Sequence, residues 1–331
     1  MEEACALAQK RIELLPQLAR EFSQVIPAEF FVPGALPADV RSHPARPLIS
    51  YLVHRVFLCA AQRSANLRQA AAALCNAHTL CEGLDTTPVW RANGAGIDVL
   101  WTLPLLPPGL DAIPVGIPSS ANRAEFLLSV RGGLELIRKT CPALARKLSS
   151  ELRWIVPMPE EKEGRHSMTL ANFPGTVFVG ARSQPDRMAE LIVHEYLHLV
   201  LHAAGEVLPL IEGDSAGPDL YSPWREDARP AEGLLHGIYV FTGVMMFWLG
   251  HLQEPGPRCA YAQERVALLR LQLHKATQAM EERYSGKIVD RVLDSTRRSA
   301  SLAQTAPIAP EVVIEAEQRV DHHYQQWLMR H

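Results

Sequence analysis

SQPDRMAELIVHEYLHLVLHAAG, residues 183–205, is the stretch from which the rest of the chain can be organised. Ser183 suits a helix N-cap, and Pro185 suits the first turn because its missing N–H would find no intrahelical partner there. Asp186 meets the free N–H groups and the positive end of the helix dipole. Leu191, Ile192, Val193, Leu197 and Val200 then supply an apolar face, which predicts an amphipathic helix ending near Gly205.

The helix carries His194-Glu195-Tyr196-Leu197-His198, an HExxH pattern. Four residues along an α-helix turn about 400° and rise about 6 Å, so the two imidazoles point the same way and can close on one metal ion. Glu195 lies about 100° from His194, beside such an ion rather than on it, where it can act as a base or orient a water. The plainer alternative is two polar side chains bonded to core carbonyls. His202 continues the row one turn further, but drift of the helix carries it outward, so it is expected behind the ligands or at the surface.

Upstream, residues 151–158, 166–172 and 175–181 read as short β-runs. The last two are joined through Phe173-Pro174 and Gly175 as a hairpin. Residues 160–165 read as a solvated loop, and residues 121–150 as one or two helices, bent at Gly132-Gly133 and interrupted at Cys141-Pro142. The proline-dense stretch 103–120 forbids a long helix and marks a boundary. It separates a helical N-terminal region, residues 1–110, from a metal-dependent catalytic domain, residues 111–331. For the N-terminal region a leader-peptide site, a cover over the site and a homodimer contact are all open. Downstream come a long loop to residue 231, an apolar helix over 232–249, and helices over 258–284 and 310–328. The expected fold is α+β and predominantly helical, with the HExxH helix packed against a small antiparallel sheet.

With 33 Lys and Arg against 36 Asp and Glu in 331 residues, the formal charge is -3, and 47% of residues are hydrophobic. A chain of this length buries a core without staples, so a metal here is expected to be functional rather than structural. Its balanced charge argues against nucleic acid as the main partner. Cys5, Cys59, Cys75, Cys81, Cys141 and Cys259 form no CxxC pair, and the first residues lack a secretory pattern, so a reducing, cytoplasmic setting is expected. Residues 233–250 carry no charge and approach the length of a membrane span. His236 within them, and their glycines, favour a close-packed core helix, so no membrane partner is expected.

A two-histidine clamp needs a further protein ligand. Glu212, Asp214, Glu226, Asp227, Glu232 and His236 are the downstream candidates. His236 stands out because a lone imidazole among Leu234, Leu235, Ile238, Tyr239 and Phe241 must be paired, either with a metal or with a carbonyl. Between the two helices, Ser222-Pro-Trp-Arg-Glu-Asp-Ala-Arg-Pro230 offers Arg225 and Arg229. Their planar forks suit bidentate capture of a carboxylate, unless they pair with Glu226, Asp227 or Glu232.

HExxH followed by SPWREDARPAEGLLHGIYVFTGVMMFW resembles the HExxH-type peptide-modification family of ribosomal-peptide biosynthesis, whose characterised members are 2-oxoglutarate-dependent peptide β-hydroxylases. The resemblance covers roughly residues 122–249, and Tyr196-Leu197 departs from the Phe-Gln often found there. It implies that His194, His198 and His236 bind Fe(II), and that Arg225 or Arg229 holds the distal carboxylate of 2-oxoglutarate. A side-chain β-carbon of a precursor peptide would then be hydroxylated. The hairpin at 167–181 would offer that peptide an edge strand. The competing reading is a zinc metallopeptidase with Glu195 as general base. A binding protein using metal only for stability is a third class, which a core of this size does not need.

Overall fold

The computed structural model describes residues 2–21, 46–62, 66–75, 84–92, 95–101, 120–158, 167–171, 173–212, 220–253 and 256–331. The chain opens with helices α1 (Glu2–Glu21), α2 (Arg46–Ala61) and α3 (Leu67–Cys75), then strands β1 (Thr86–Ala92) and β2 (Ala95–Leu100). Helices α4 (Ser120–Thr140) and α5 (Pro142–Glu151) lead into β3 (Trp154–Pro157), β4 (Ser167–Met168) and β5 (Thr176–Val179). Five helices follow: α6 (Pro185–Gly205), α7 (Ala231–Leu249), α8 (Pro257–Glu281), α9 (Lys287–Gln304) and α10 (Pro310–Arg330). The architecture is predominantly helical α+β, as the sequence predicts.

The strands form one sheet in the order β1-β2-β3-β5-β4. The predicted hairpin is present: β4 and β5 pair antiparallel, with Ser167 opposite Val179, and Gly175 takes the positive φ of 78° that the turn requires. The sheet as a whole is mixed, which corrects the antiparallel expectation. Asp98 of β2 lies opposite Trp154 of β3, and Trp154 opposite Thr176 of β5, both in parallel pairs. The helical crossover through α4 and α5 carries the chain back to start β3 in the same direction as β2, which a tight turn cannot do. All four residues of β3 and of β5 are buried, the pattern of strands covered on both faces.

Strands β1 and β2 fall in a stretch that the sequence predicts to be mostly helical. Thr86, Thr87, Val89 and Trp90 favour a pleated surface, and β1 tolerates Pro88 because it is an edge strand with an irregular register there.

By its internal contacts the chain divides into two compact units, Met1–Leu134 with Ala145–Met188, and Glu135–Leu144 with Ala189–His331. The boundary expected near residue 110 lies outside the described residues, as does the loop at 160–165. In the first unit, Leu48, Leu52 and Val56 of α2 and Leu74 of α3 pack with Trp154, Phe173 and Phe178. Phe173 is the aromatic hub, its ring centroid 5.3 Å from Tyr51 and 6.1 Å from Phe178.

The second unit is helical and built around α7, whose Leu234, Leu235, Ile238, Val244, Met245, Phe247 and Trp248 are buried. This helix is the one described segment long and apolar enough to cross a membrane, and its burial is that of a core helix. Helix α9 went unassigned in the sequence. Its buried face carries Val289, Val292 and Leu293 at helical spacing, continued by Thr296, Ser299 and Ala303, so the apolar stripe was there to be read.

Candidate metal centre

Helix α6 begins at Pro185 and ends at Gly205, as its sequence predicts, with Asp186 Oδ1 accepting the Arg187 N–H at 2.8 Å. Helices α6 and α7 run antiparallel, and the contacts along them fix their register. Near the start of α6, Glu190 accepts a hydrogen bond from Trp248 Nε1 at 2.9 Å, near the end of α7. One turn on, His194 meets Phe241 edge to face at 5.1 Å. Leu197 sits against Gly243, where a Cβ would meet its Cδ1. Further still along α6, His198 and His202 both meet His236, with ring centroids at 5.3 and 4.6 Å.

Four imidazoles therefore gather between these helices, three from α6 and one from α7. His194 and His198 lie 4.9 Å apart by ring centroid, and His198 and His202 lie 6.3 Å apart. Partial burial lowers the pKa of all four. It pushes His194 down to about 4, aided by the Arg265 cation, and His236 to about 4, aided by His202. His198 falls to about 2, because burial is joined by repulsion from His194, His236 and His202. His202 is lowered by burial against the opposing pull of Glu206. Neutral imidazoles keep a free lone pair, the form in which histidine binds a metal.

The His198 and His236 Nδ1 atoms are 3.1 Å apart. That is the span of an N–H···N hydrogen bond between neutral rings. It is also near the separation of about 3.3 Å expected for two nitrogens each about 2.0–2.1 Å from one tetrahedral ion. Donor chemistry and this bite fit a metal. Among the described residues, though, no three His, Cys, Asp or Glu side chains already converge as a bound ion would require. Glu195 is buried, 3% exposed, and its Oε1 is 3.9 Å from His194 Nε2, beside the imidazole row as its helical position predicts.

The arginine loop is closed by a two-way bridge, Leu220 N–H to the Arg229 carbonyl at 2.6 Å and Arg229 N–H to the Leu220 carbonyl at 2.9 Å. Within it, Trp224 stacks on Phe241 at 4.7 Å and fills the space that a Cβ on Gly237 would occupy. Through Phe241 the loop thus reaches His194. Helices α8 and α10 brace it: Gln272 Nε2 donates to the Pro223 carbonyl, Tyr221 OH pairs with His323 Nδ1 at 2.9 Å, and Arg330 with Glu226 at 2.6 Å. Burial, with Tyr324 and Asp321 nearby, pushes the Tyr221 hydroxyl up to about 12. Both loop arginines turn to Asp227: Arg225 Nε is 2.8 Å from Oδ1 and Arg229 Nε 3.5 Å from Oδ2.

Of the candidate further ligands, His236 is the one seen against the HExxH helix. Glu212 accepts the Lys287 N–H at the start of α9, Glu226 and Asp227 hold arginines, Glu232 is exposed, and Asp214 lies outside the described residues. The sequence reading turned His202 away from the centre, and the structure places it beside His236. The unbroken four-residue spacing of His194, His198 and His202 was the available signal. The half-buried pair of Arg265 and Glu190 has no counterpart among the sequence expectations. Nothing in the sequence marks that arginine out from the others of its helix. No protein-family model matches the chain, and no curated protein matches it.

Proposed function

We propose that this chain is a cytoplasmic Fe(II)/2-oxoglutarate-dependent peptide β-hydroxylase acting on a ribosomally made precursor peptide. The observation that supports the reading most is the half-buried imidazole cluster that the HExxH helix forms with His236. His194, His198 and His236 are the residues the resemblance assigns to the metal. Bound Fe(II) would supply the redox chemistry that couples decarboxylation of the keto acid to oxygen insertion at an unactivated carbon.

The chain's own groups prepare that site. Partial burial keeps the imidazoles neutral, and Phe241, stacked on Trp224, lines the His194 side. Glu195 stands next to His194, placed to hold a proton or orient a polar group there. Arg225 and Arg229 are the groups for the distal carboxylate of 2-oxoglutarate. Their present partner is exposed, so exchanging the Asp227 carboxylate for that of a cosubstrate costs little. Strand β4 ends the sheet and offers the peptide backbone pairing. Three cysteines among the described residues, Cys59, Cys141 and Cys259, are free, in keeping with a reducing compartment.

The test is anaerobic reconstitution with Fe(II), then addition of 2-oxoglutarate, O2 and a precursor peptide encoded nearby. A mass gain of one oxygen on the peptide is expected. Cleavage of the peptide with zinc and no keto acid would establish the metallopeptidase instead.

A further inference from the structure

Both loop arginines hang from one short buried base. Arg229 exchanges two backbone hydrogen bonds with Leu220, and the Arg225 N–H donates to the Ser222 carbonyl at 3.3 Å, closing the turn through Pro223 and Trp224. Leu220, Tyr221 and Ser222 are buried, whereas Arg225 and Asp227 stand in solvent. Tyr221 is therefore the residue between the two that hold the arginines' backbone. Where its side chain is fixed decides where both guanidinium groups start from.

That side chain is held by the last helix. Ala316 and Val320 of α10 pack on Ala267 and Leu268 of α8, and His323, Tyr324 and Trp327 continue the same face one and two turns further. Tyr324 and Trp327 meet the Tyr221 ring edge to face at 4.9 and 5.3 Å, and its hydroxyl pairs with His323 Nδ1 at 2.9 Å. Ring contacts alone tolerate sliding, and a hydrogen bond of this length pins the far end of the ring. The Arg330–Glu226 pair of the same helix is exposed on both sides and adds little. We infer that Tyr221 and His323 are positioning residues, through which the C-terminal helix sets Arg225 and Arg229 for capture of a carboxylate.

The inference rests on the role proposed for those arginines, and two readouts on the full chain keep the two apart. Hydrogen exchange by mass spectrometry follows the segment 220–229 against α7, and calorimetry measures the 2-oxoglutarate Kd of the Fe(II)-loaded protein without oxygen. His323→Ala is expected to speed exchange of the loop about 2- to 10-fold, the scale of one lost hydrogen bond, with α7 unchanged. The 2-oxoglutarate Kd should rise by a similar factor while iron affinity stays as it was. His323→Asn, whose amide puts a polar atom near the place of Nδ1, should restore both. If His323→Ala does not fold by far-UV circular dichroism, Tyr221→Phe, which keeps the ring and removes the hydroxyl, is judged by the same criteria. Loop exchange less than about 2-fold faster than in the native chain overturns the inference. Faster loop exchange with an unchanged 2-oxoglutarate Kd overturns it as well, because the arginines would then not depend on the pair. A native chain that binds no 2-oxoglutarate contradicts the cosubstrate reading instead, and loop exchange alone then decides the positioning role.

Discussion

The second unit holds two carboxylate–arginine systems that differ in what surrounds them. Arg265 of α8 grips Glu190 of α6, and the carboxylate also takes the Trp248 N–H from α7, so three helices meet at one half-buried charge pair. Asp227 holds Arg225 and Arg229 within a single loop, with its side chain 57% exposed. Partial burial makes the first pair harder to break, because removing one partner leaves a charge with little access to water. Exposure makes the second cheap to open, since water and salt compensate either partner. The first sets the helix register on which the histidine cluster depends, and the second is free to exchange ligands.

Acidification gives the largest effect that sharpens this contrast. In the unfolded chain the four imidazoles take up protons near pH 6.5, while the native cluster refuses them until about 4 at His194 and His236 and about 2 at His198. The unfolded state therefore binds more protons in that window, and native stability falls as pH drops from about 6.5 to about 4. At about 1.4 kcal/mol for each pKa unit and site, the metal-free protein should lose several kcal/mol, read from denaturant midpoints across that range. Constant midpoints would mean that the cluster is hydrated.

Glu190→Gln comes next. It leaves the half-buried Arg265 cation without its counter-charge and should cost about 1–3 kcal/mol by urea unfolding. A loss below 1 kcal/mol would erase the distinction between the two pairs. The smallest expected change is Asp227→Asn, which should shift stability by no more than about 1 kcal/mol. Because it frees both loop arginines, the same variant should bind 2-oxoglutarate at least as tightly as the native chain by calorimetry on the metal-loaded protein. Weaker binding would assign the cosubstrate carboxylate elsewhere.

Local chemistry was legible in the sequence, and register was not. The start of α6 at Pro185, its glycine end, the charge-free run of α7 and the turn at Gly175 each act within a few residues, and the structure has them where the sequence predicts, although Gln184 rather than Ser183 gives the first carbonyl of the α6 ladder. The parallel centre of the sheet depends on a crossover through two helices, which no strand's own pattern records. The facing of His202 is a question of register too. On an isolated helix it drifts outward from a site centred on His194 and His198. Gly243 under Leu197 and Trp248 on Glu190 slide α7 so that His236 comes level with the His198–His202 turn, and that brings His202 inward. The arginine loop shows the same limit: its residues announce carboxylate chemistry, but only the fold shows that Asp227 already supplies the carboxylate.

The central claim is that the imidazole cluster between α6 and α7 holds Fe(II) and directs 2-oxoglutarate chemistry onto a peptide. Its most direct test is mass spectrometry of the reconstituted reaction with a precursor peptide, with succinate measured alongside. The account predicts one added oxygen per modified residue, matched by succinate and dependent on both Fe(II) and 2-oxoglutarate. A peptide left unmodified by protein that binds iron and keto acid, or one cleaved with zinc alone, would contradict it.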